Sequence, residues 1–481
     1  MQEDTIAAIA TPSGVGGIGV IRVSGRDAFS LVQPLWLRSG KRTELPPSHQ
    51  LTHGHIIDPT SQEILDEVLV AFMHGPHTYT REDVVEIQGH GGPLILRRVL
   101  RAVLAQGARM ANPGEFTLRA FLNGRLDLVQ AEAVMDLIES ETEAGQRLAM
   151  QQLRGRLSER VQRARHALLG VIARIEVSID FPEEDVPTPG AEELYPLMQA
   201  AQSQIAELLS GAEQGRLYRQ GVRTAIIGRP NVGKSSLLNA LLRFDRSIVT
   251  SIAGTTRDTV EEVANIHGIP LHLIDTAGIT PTDDPVEQMG VQRSRAAAES
   301  ADIILLVFDG SEPLTELDWR VSADVQAMGF DAIPEQRDGA EESTSTRKNR
   351  PVLLILNKAD REQRLSIDEL QHMWPLSAFI ATSTLTDTGL IRLEEAIADL
   401  ALADKVLHSE SVLVTNTRHQ DALRRAAEHV RASFISLDQR LPLDFVSIDL
   451  RAAYDALGEV TGETASDDLL DKIFSEFCIG K

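Results

Sequence analysis

Gly228-Arg-Pro-Asn231-Val232-Gly233-Lys234-Ser235 gathers the residue types that a phosphate-binding loop requires. Gly228 and Gly233 let the backbone turn N–H groups inward, and Lys234 can reach β and γ oxygens where a helix opens at Ser235 and Ser236. The Ser235 hydroxyl is a ligand type for Mg²⁺. Two further blocks follow in the order a GTPase needs, Asp275-Thr276-Ala277-Gly278 and Asn357-Lys358-Ala359-Asp360. Asp275 can hold Mg²⁺ through its water shell, and the Gly278 N–H can meet the γ-phosphate, so this segment can sense hydrolysis. Asp360 can accept hydrogen bonds from the guanine N1–H and exocyclic amine, a pattern adenine lacks. A site built around such a polar match discriminates strongly, so GTP is expected rather than ATP. Lys358 would cover the base plane.

The loop Ile252-Ala253-Gly254-Thr255-Thr256-Arg257-Asp258 lies between the first two blocks. Thr256 reads as the switch threonine that completes Mg²⁺ coordination only while the γ-phosphate is present. Thr255 is left for another role, and Arg257 reads as the ion-pair partner of Asp258. Ile279 occupies the position where Ras-like enzymes carry a water-orienting glutamine, and it can neither donate nor accept a hydrogen bond. Another group must therefore activate water. Glu287, in Asp283-Asp-Pro-Val-Glu-Gln-Met-Gly290, is a candidate, although its residue type and position alone favour a solvated acid at a helix start.

Two other motifs carry less. Gly14-Val-Gly-Gly-Ile-Gly19 matches a dinucleotide fingerprint, but the strand-like Val20-Ile-Arg-Val23 follows instead of a helix, so no helix amino terminus would meet a pyrophosphate. Cys478 stands fourth from the end, yet Gly480 and Lys481 do not suit a prenylation signal. Phe474, Phe477 and Ile479 make the tail apolar, so burial of the tail is expected, with Cys478 and Lys481 carried into a pocket or interface.

These residues need elements to position them, and 481 residues that are 42% hydrophobic suffice for three structural units. Ile18 to Val23, Glu67 to Phe72 and a helix from Pro93 to Leu104 read as a small α+β domain. Helical spacing runs from Phe121 to Ile179, breaks at Phe181-Pro-Glu-Glu-Asp-Val-Pro-Thr-Pro-Gly190, and resumes over about 191–216. It returns from Asn416 to Leu437 and again toward Phe477, so the two helical segments should pack together with the nucleotide unit inserted between them. Residues 331–350 read as a flexible insertion. With 47 basic against 70 acidic residues, a charge of −23, the chain is no uniformly basic nucleic-acid binder, although a local basic patch or a partner could handle RNA. A single cysteine, no apolar stretch of about 18 residues and no basic amino-terminal leader suggest a cytoplasmic protein without a membrane anchor.

The nucleotide blocks do not stand alone. Ala10-Thr-Pro-Ser-Gly-Val-Gly-Gly-Ile-Gly19, Val85-Glu-Ile-Gln-Gly-His-Gly-Gly92, Pro113-Gly-Glu-Phe-Thr-Leu-Arg-Ala-Phe-Leu-Asn-Gly-Arg-Leu-Asp-Leu128 and the final Phe-Cys-Ile-Gly-Lys481 join them. Together they closely resemble the MnmE (TrmE) family of tRNA modification GTPases, within the TrmE-Era-EngA-like group, over essentially the whole chain. The resemblance implies a multidomain protein. Residues 1–118 would be an α+β domain that binds tetrahydrofolate and dimerises, and 119–220 the first part of a discontinuous α-helical domain. An inserted α/β P-loop G domain would occupy 221–403, and 404–481 would complete the helical domain with Cys478-Ile-Gly-Lys481.

The resemblance also implies a homodimer that, with the flavoprotein MnmG (GidA), places an aminomethyl or carboxymethylaminomethyl group on C5 of the wobble uridine in tRNA. In this family K⁺ takes the place of an arginine finger. Here it would be held by the Asn231 side chain and by Thr250, Ile252 and Thr255 of the loop 247–256, which also includes the nucleotide-binding Ser251, Ala253 and Gly254. Glu287 falls on the family's water-orienting glutamate. Arg22, Glu86, Arg125 and Lys481 match positions around a 5-formyl or 5,10-methylene tetrahydrofolate, with Arg125 where a lysine is common, and Cys478 matches the terminal cysteine. Ser383, in Ala381-Thr-Ser-Thr384, would support the guanine-reading block. The competing reading is a GTP-switched RNA-binding or ribosome-assembly factor without one-carbon chemistry. Such proteins usually add a basic RNA-binding domain, which is absent from this sequence.

Overall fold

A computed structural model describes residues 4–39, 45–180, 188–243, 261–275, 298–332, 350–375, 377–402 and 414–481. The chain divides into two compact units, one of Met1–Ile138, Met150–Leu209 and Arg418–Lys481, the other of Glu139–Ala149 and Ser210–Thr417.

The first unit opens with a seven-stranded sheet built from β1 (Ile6–Ile9), β2 (Ile18–Ser24), β3 (Trp36–Arg38), β4 (Leu51–Ile57), β5 (Ile64–Met73), β6 (Val84–His90) and β7 (Arg109–Met110), in the order β3-β4-β5-β6-β2-β1-β7. Only β7 runs parallel to its neighbour. Alternation along β2 sends Ile21 and Val23 into the core beneath α1 (Ala28–Val32) and α2 (Pro93–Ala105), and Arg22 to the opposite face. In α2, Leu96, Val99, Leu100 and Val103 recur at helical spacing and seat that helix on the sheet, with Pro93 in the first turn, where its missing N–H costs nothing. The Gly14–Gly19 run leads directly into β2, so no helix amino terminus follows it.

The same unit holds α3 (Glu115–Leu122), α4 (Leu128–Glu139), α6 (Arg156–Asp180) and α7 (Ala191–Ser210), with the end of α5 (Glu143–Leu153). In α6, Leu157, Val161, Ala164, Leu168 and Ile175 form a buried stripe. The later chain returns to this unit as α13 (Thr417–Asp438), α14 (Leu443–Thr461) and α15 (Asp467–Ser475), and α14 packs along α6. The helices before and after the nucleotide unit therefore share one body, as their separated periodic stretches predict.

The second unit is a twisted α/β layer. Its sheet runs β12 (Phe330–Ala332), β13 (Arg350–Asn357), β11 (Ile303–Asp309), β8 (Val222–Ile227), β10 (Ile269–Asp275), β9 (Glu261–Ile266), with β14 (Phe379–Ala381) beside β13. All pairs are parallel except β9 with β10. Every residue of β11 is buried, which is why the strand reads as a continuous apolar run: both faces are covered. On one face Ile226, Leu305 and Val307 meet α8 (Ala212–Gln220), α9 (Lys234–Arg243) and α12 (Leu390–Leu402). On the other, Ile227, Leu306 and Phe308 meet α10 (Glu316–Ala327) and α11 (Ile367–Met373). The segment 139–149 joins this unit because Ala144 and Leu148 pack on its core and the Thr142 hydroxyl donates to the Gly268 carbonyl at 2.8 Å. The ends of the stretch 331–350, read as a flexible insertion, are strand. Asp331 and Ala332 belong to β12 and Arg350 to β13, and the rest, 333–349, lies outside the described residues.

Candidate nucleotide site and a second polar site

The carboxyl ends of parallel strands collect the polar groups of the nucleotide site, where helix amino termini also point. After β8 the chain turns through Gly228 to Gly233, with Asn231 at φ 68° and Gly233 at φ 102°, and α9 starts at Lys234. The Lys234 side chain is buried and its ammonium donates to the carbonyls of Gly228 and Arg229, both at 2.9 Å. It lies folded along its own loop, within reach of any phosphate the loop receives. Ser235 and Ser236 are exposed in the first turn of α9.

Asn357 closes β13 and reaches across to the loop: its side-chain amide donates to the Val232 carbonyl at 2.8 Å. A Cβ on Gly233 would sit 2.1 Å from that amide nitrogen, so the close approach requires glycine. Lys358 takes positive φ and pairs with Asp309 at the end of β11. Burial pushes the Asp309 carboxyl up, but hydrogen bonds from Lys358 and Ser311 outweigh it and hold the group below its ordinary range. Asp360 is exposed, and the Ser383 hydroxyl donates to it at 2.6 Å, which lowers its pKa. Ser383 is itself fully buried after β14, where its Oγ accepts from the Leu385 and Thr386 amides at 3.3 Å. That geometry keeps the Asp360 carboxylate ionised and oriented as a pure acceptor, the requirement for reading two adjacent N–H groups of guanine.

The structure thus brings Gly228, Asn231, Val232, Gly233, Lys234, Ser235 and Ser236 onto one loop and ties Asn357 to it, with Asp360 and Ser383 bonded to each other. Asp275 ends β10, opposite Ile226 of β8. Thr250, Ser251, Ile252, Ala253, Gly254, Thr255, Thr256, Thr276, Ala277, Gly278 and Glu287 lie outside the described residues. Among the described residues no cluster of three or more His, Cys, Asp or Glu side chains could hold a metal ion. A Mg²⁺ at such a loop draws on hydroxyls, water and the nucleotide's own phosphates.

The other candidate residues meet in the first unit. Cross-strand register places Arg22 opposite Glu86, and the guanidinium donates to the carboxylate at 2.9 and 3.0 Å. Tyr79, which the sequence did not single out, links the group. Arg22 lies 5.6 Å and Arg125 4.8 Å from its ring centroid, and Arg125 donates to its carbonyl at 2.8 Å. Burial raises the Tyr79 pKa against the opposing pull of Thr117, Arg125 and Arg22, so the phenol stays neutral.

The carboxyl terminus completes this site through its backbone. The Gly480 carbonyl accepts from Arg22 at 3.4 Å, the Lys481 carbonyl from the Phe116 amide at 3.2 Å, and the Cys478 carbonyl from the Gly114 amide at 3.4 Å. A Cβ at Gly480 would lie 2.5 Å from the Ile9 carbonyl, and its φ is 93°. Burial and the Arg22 charge depress the Lys481 pKa against the opposing effect of Glu86. The expected burial of the tail needs correction: Phe474 and Phe477 are buried, whereas Cys478 and Ile479 are exposed, because main-chain carbonyls rather than side chains hold the last turn. No helix among the described residues is long and apolar enough to cross a membrane.

The chain is similar to known proteins along its whole length. Residues 5–125 match the family model "GTP-binding protein TrmE N-terminus" and residues 128–478 match "MnmE helical domain". The tRNA modification GTPase MnmE of Alkaliphilus oremlandii is 45% identical over 480 residues, 100% of this chain and 99% of that protein. The proteins of the same name from Ligilactobacillus salivarius and Geobacillus thermodenitrificans are 46% and 45% identical, covering 100% of this chain and 98% and 100% of theirs.

Proposed function

The chain belongs to the MnmE family of tRNA modification GTPases, and from that premise we propose how its residues serve the reaction. GTP hydrolysis in a homodimer is stimulated by K⁺ and coupled, with a flavoprotein partner, to addition of an aminomethyl or carboxymethylaminomethyl group at C5 of the wobble uridine, in the cytoplasm. The observation that supports guanine selection is the bond from Ser383 to Asp360, seated at the strand end next to the one whose Asn357 grips the phosphate loop.

Ser235, exposed at the start of α9, and Thr256 would hold Mg²⁺, and Asn231, Thr250, Ile252 and Thr255 would hold K⁺. The exposed Asn231 amide on a left-handed loop residue fits that task by the chemistry of its oxygen. These cations would neutralise charge developing on the phosphates, an effect on the order of 10³–10⁵ where an arginine finger supplies it. Glu287 orients the attacking water, since Ile279 cannot. In the first unit, Arg22 and Arg125 lie over the Tyr79 ring, and Glu86 and Lys481 stand beside Arg22, a set suited to a flat polar heterocycle with an anionic tail, and these residues would hold a 5-formyl or 5,10-methylene tetrahydrofolate. That group supplies the one-carbon unit.

The deciding experiment compares modified nucleosides in bulk tRNA from cells with and without this gene. Loss of C5-modified wobble uridines, restored by the wild-type chain and not by Glu287→Ala, is expected. The purified Glu287→Ala protein should bind GTP normally and hydrolyse it roughly 10²–10⁴-fold more slowly. Unchanged turnover would remove Glu287 from its role, and an unchanged nucleoside profile would remove the modification reading.

A further inference from the structure

The acidic chain carries one strongly basic stretch. Between residues 150 and 166 stand Arg154, Arg156, Arg160, Arg163 and Arg165 against a single acid, Glu159, in a protein whose net charge is −23. Two of these arginines are committed to structure: Arg160 pairs with Glu207 at 2.5 Å, and Arg165 pairs with Glu463 and stacks on Tyr454 at 4.2 Å. Arg154, Arg156 and Arg163 are exposed, and among the described residues none of them pairs with a carboxylate. Uncompensated, exposed arginines concentrated at one corner of an acidic molecule call for an external anion.

Arg154 and Arg163 also line an open cleft of about 610 Å³ at the corner where α5 turns into α6. Its floor is rigid. Asp127 and Gln130 cap α4 reciprocally, each backbone N–H donating to the other's side chain at 2.9 Å, and the Gln130 amide donates to the Leu153 carbonyl at 3.0 Å. Asp127 is thereby engaged in capping, and the exposed rim carries two guanidiniums, Arg154 and Arg163, against the single carboxylate of Glu159. Every residue lining the cleft is polar or glycine, so it lacks the aromatic or aliphatic anchor on which protein partners dock.

We propose that this α5–α6 corner docks the sugar-phosphate backbone of tRNA, with Arg154, Arg156 and Arg163 on the phosphates and the amide-lined cleft beside them toward ribose hydroxyls. The assignment rests on the tRNA-modifying function and places the substrate's backbone on this chain. Guanidinium forks match phosphate oxygens, and a polar cleft between them suits an RNA strand, whose 2′-hydroxyls both donate and accept. An acidic peptide would want an apolar anchor that the cleft does not offer.

The test uses the full chain and an unmodified tRNA transcript, with binding followed by fluorescence anisotropy between about 50 and 200 mM salt. Arg154→Glu/Arg163→Glu should lose tenfold or more in affinity and flatten the slope of log affinity against log salt by about 1.5 to 2, the share of two phosphate contacts. Arg320→Glu/Arg392→Glu, an equal charge change at exposed positions of the other unit, is the control, and circular dichroism with thermal unfolding checks the fold of both. Equal affinity and slope in the α5–α6 variant, an equal loss in the control, or no tRNA binding by the wild type would each overturn the proposal. The gene-deletion nucleoside profile separates this from the functional reading. If wild type restores the modified uridines and the double variant restores them equally, the docking surface is wrong and the modification function stands.

Discussion

Ser383 shows how one hydroxyl can serve a nucleotide site without touching the nucleotide. It is fully buried, receives two backbone N–H groups, and directs its own proton to Asp360 at 2.6 Å. Ser383→Ala would leave the exposed carboxylate free to rotate and bond water, so guanine would have to orient it on binding. GDP affinity should fall about tenfold or more, the usual scale for one lost hydrogen bond to a charged group. Titration with a fluorescent GDP analogue checks this, and unchanged affinity would show that Asp360 needs no such support. The tie between Asn357 and Val232 acts on the same scale: base-reading and phosphate-holding residues share a hydrogen bond before any ligand arrives.

Among the elements, α4 and α13 are joined by a buried cluster. Glu132 accepts from Arg418 at 2.6 and 2.9 Å and bonds His419 at 2.7 Å, and the histidine side chain is essentially inaccessible. Burial alone would raise the Glu132 pKa, but the charge and hydrogen bonds of His419 and Arg418 outweigh it and bring the carboxyl down to about 2. A folded-state pKa below the unfolded value near 4.5 means that the contribution is complete above about pH 5 and is lost as pH falls from about 4.5 to 2. The shift corresponds to about 3 kcal/mol. Glu132→Gln should therefore destabilise the first unit by about that much at neutral pH, since it removes the carboxylate that balances the Arg418 guanidinium. It should also remove most of the acid sensitivity in that window. Urea unfolding at several pH values from 3 to 7 measures both, and parallel pH profiles for variant and wild type would refute the assignment.

For the whole molecule, the two units keep separate cores. The nucleotide unit buries residues on both faces of its own sheet, and the cluster under α2 belongs to the other unit. All described nucleotide-site residues lie in the second unit, so a nucleotide at roughly 100 times its dissociation constant should stabilise that unit by about 2.7 kcal/mol and leave the first where it was. Calorimetry is expected to resolve two transitions, of which GDP raises one. A single transition that moves as a whole would mean that the units unfold cooperatively.

The sequence by itself determined the order and identity of the nucleotide blocks, because loop turns, phosphate contact and base discrimination each demand particular residue types at short spacing. It also marked helical stretches on both sides of the nucleotide unit, which the fold joins in one body, since the 3.6-residue period survives in the sequence. What only the tertiary structure decided were the partners. Arg22 meets Glu86 through antiparallel register, Lys358 meets Asp309 across neighbouring parallel strands, and Glu132 meets Arg418 from 286 positions away. Tyr79 acquires its place only when a loop brings it between two arginines, and Cys478 is exposed because carbonyls, which every residue carries, hold the tail. Local chemistry is written in residue type and spacing. Pairing across the fold depends on register and packing, which no short stretch of sequence encodes.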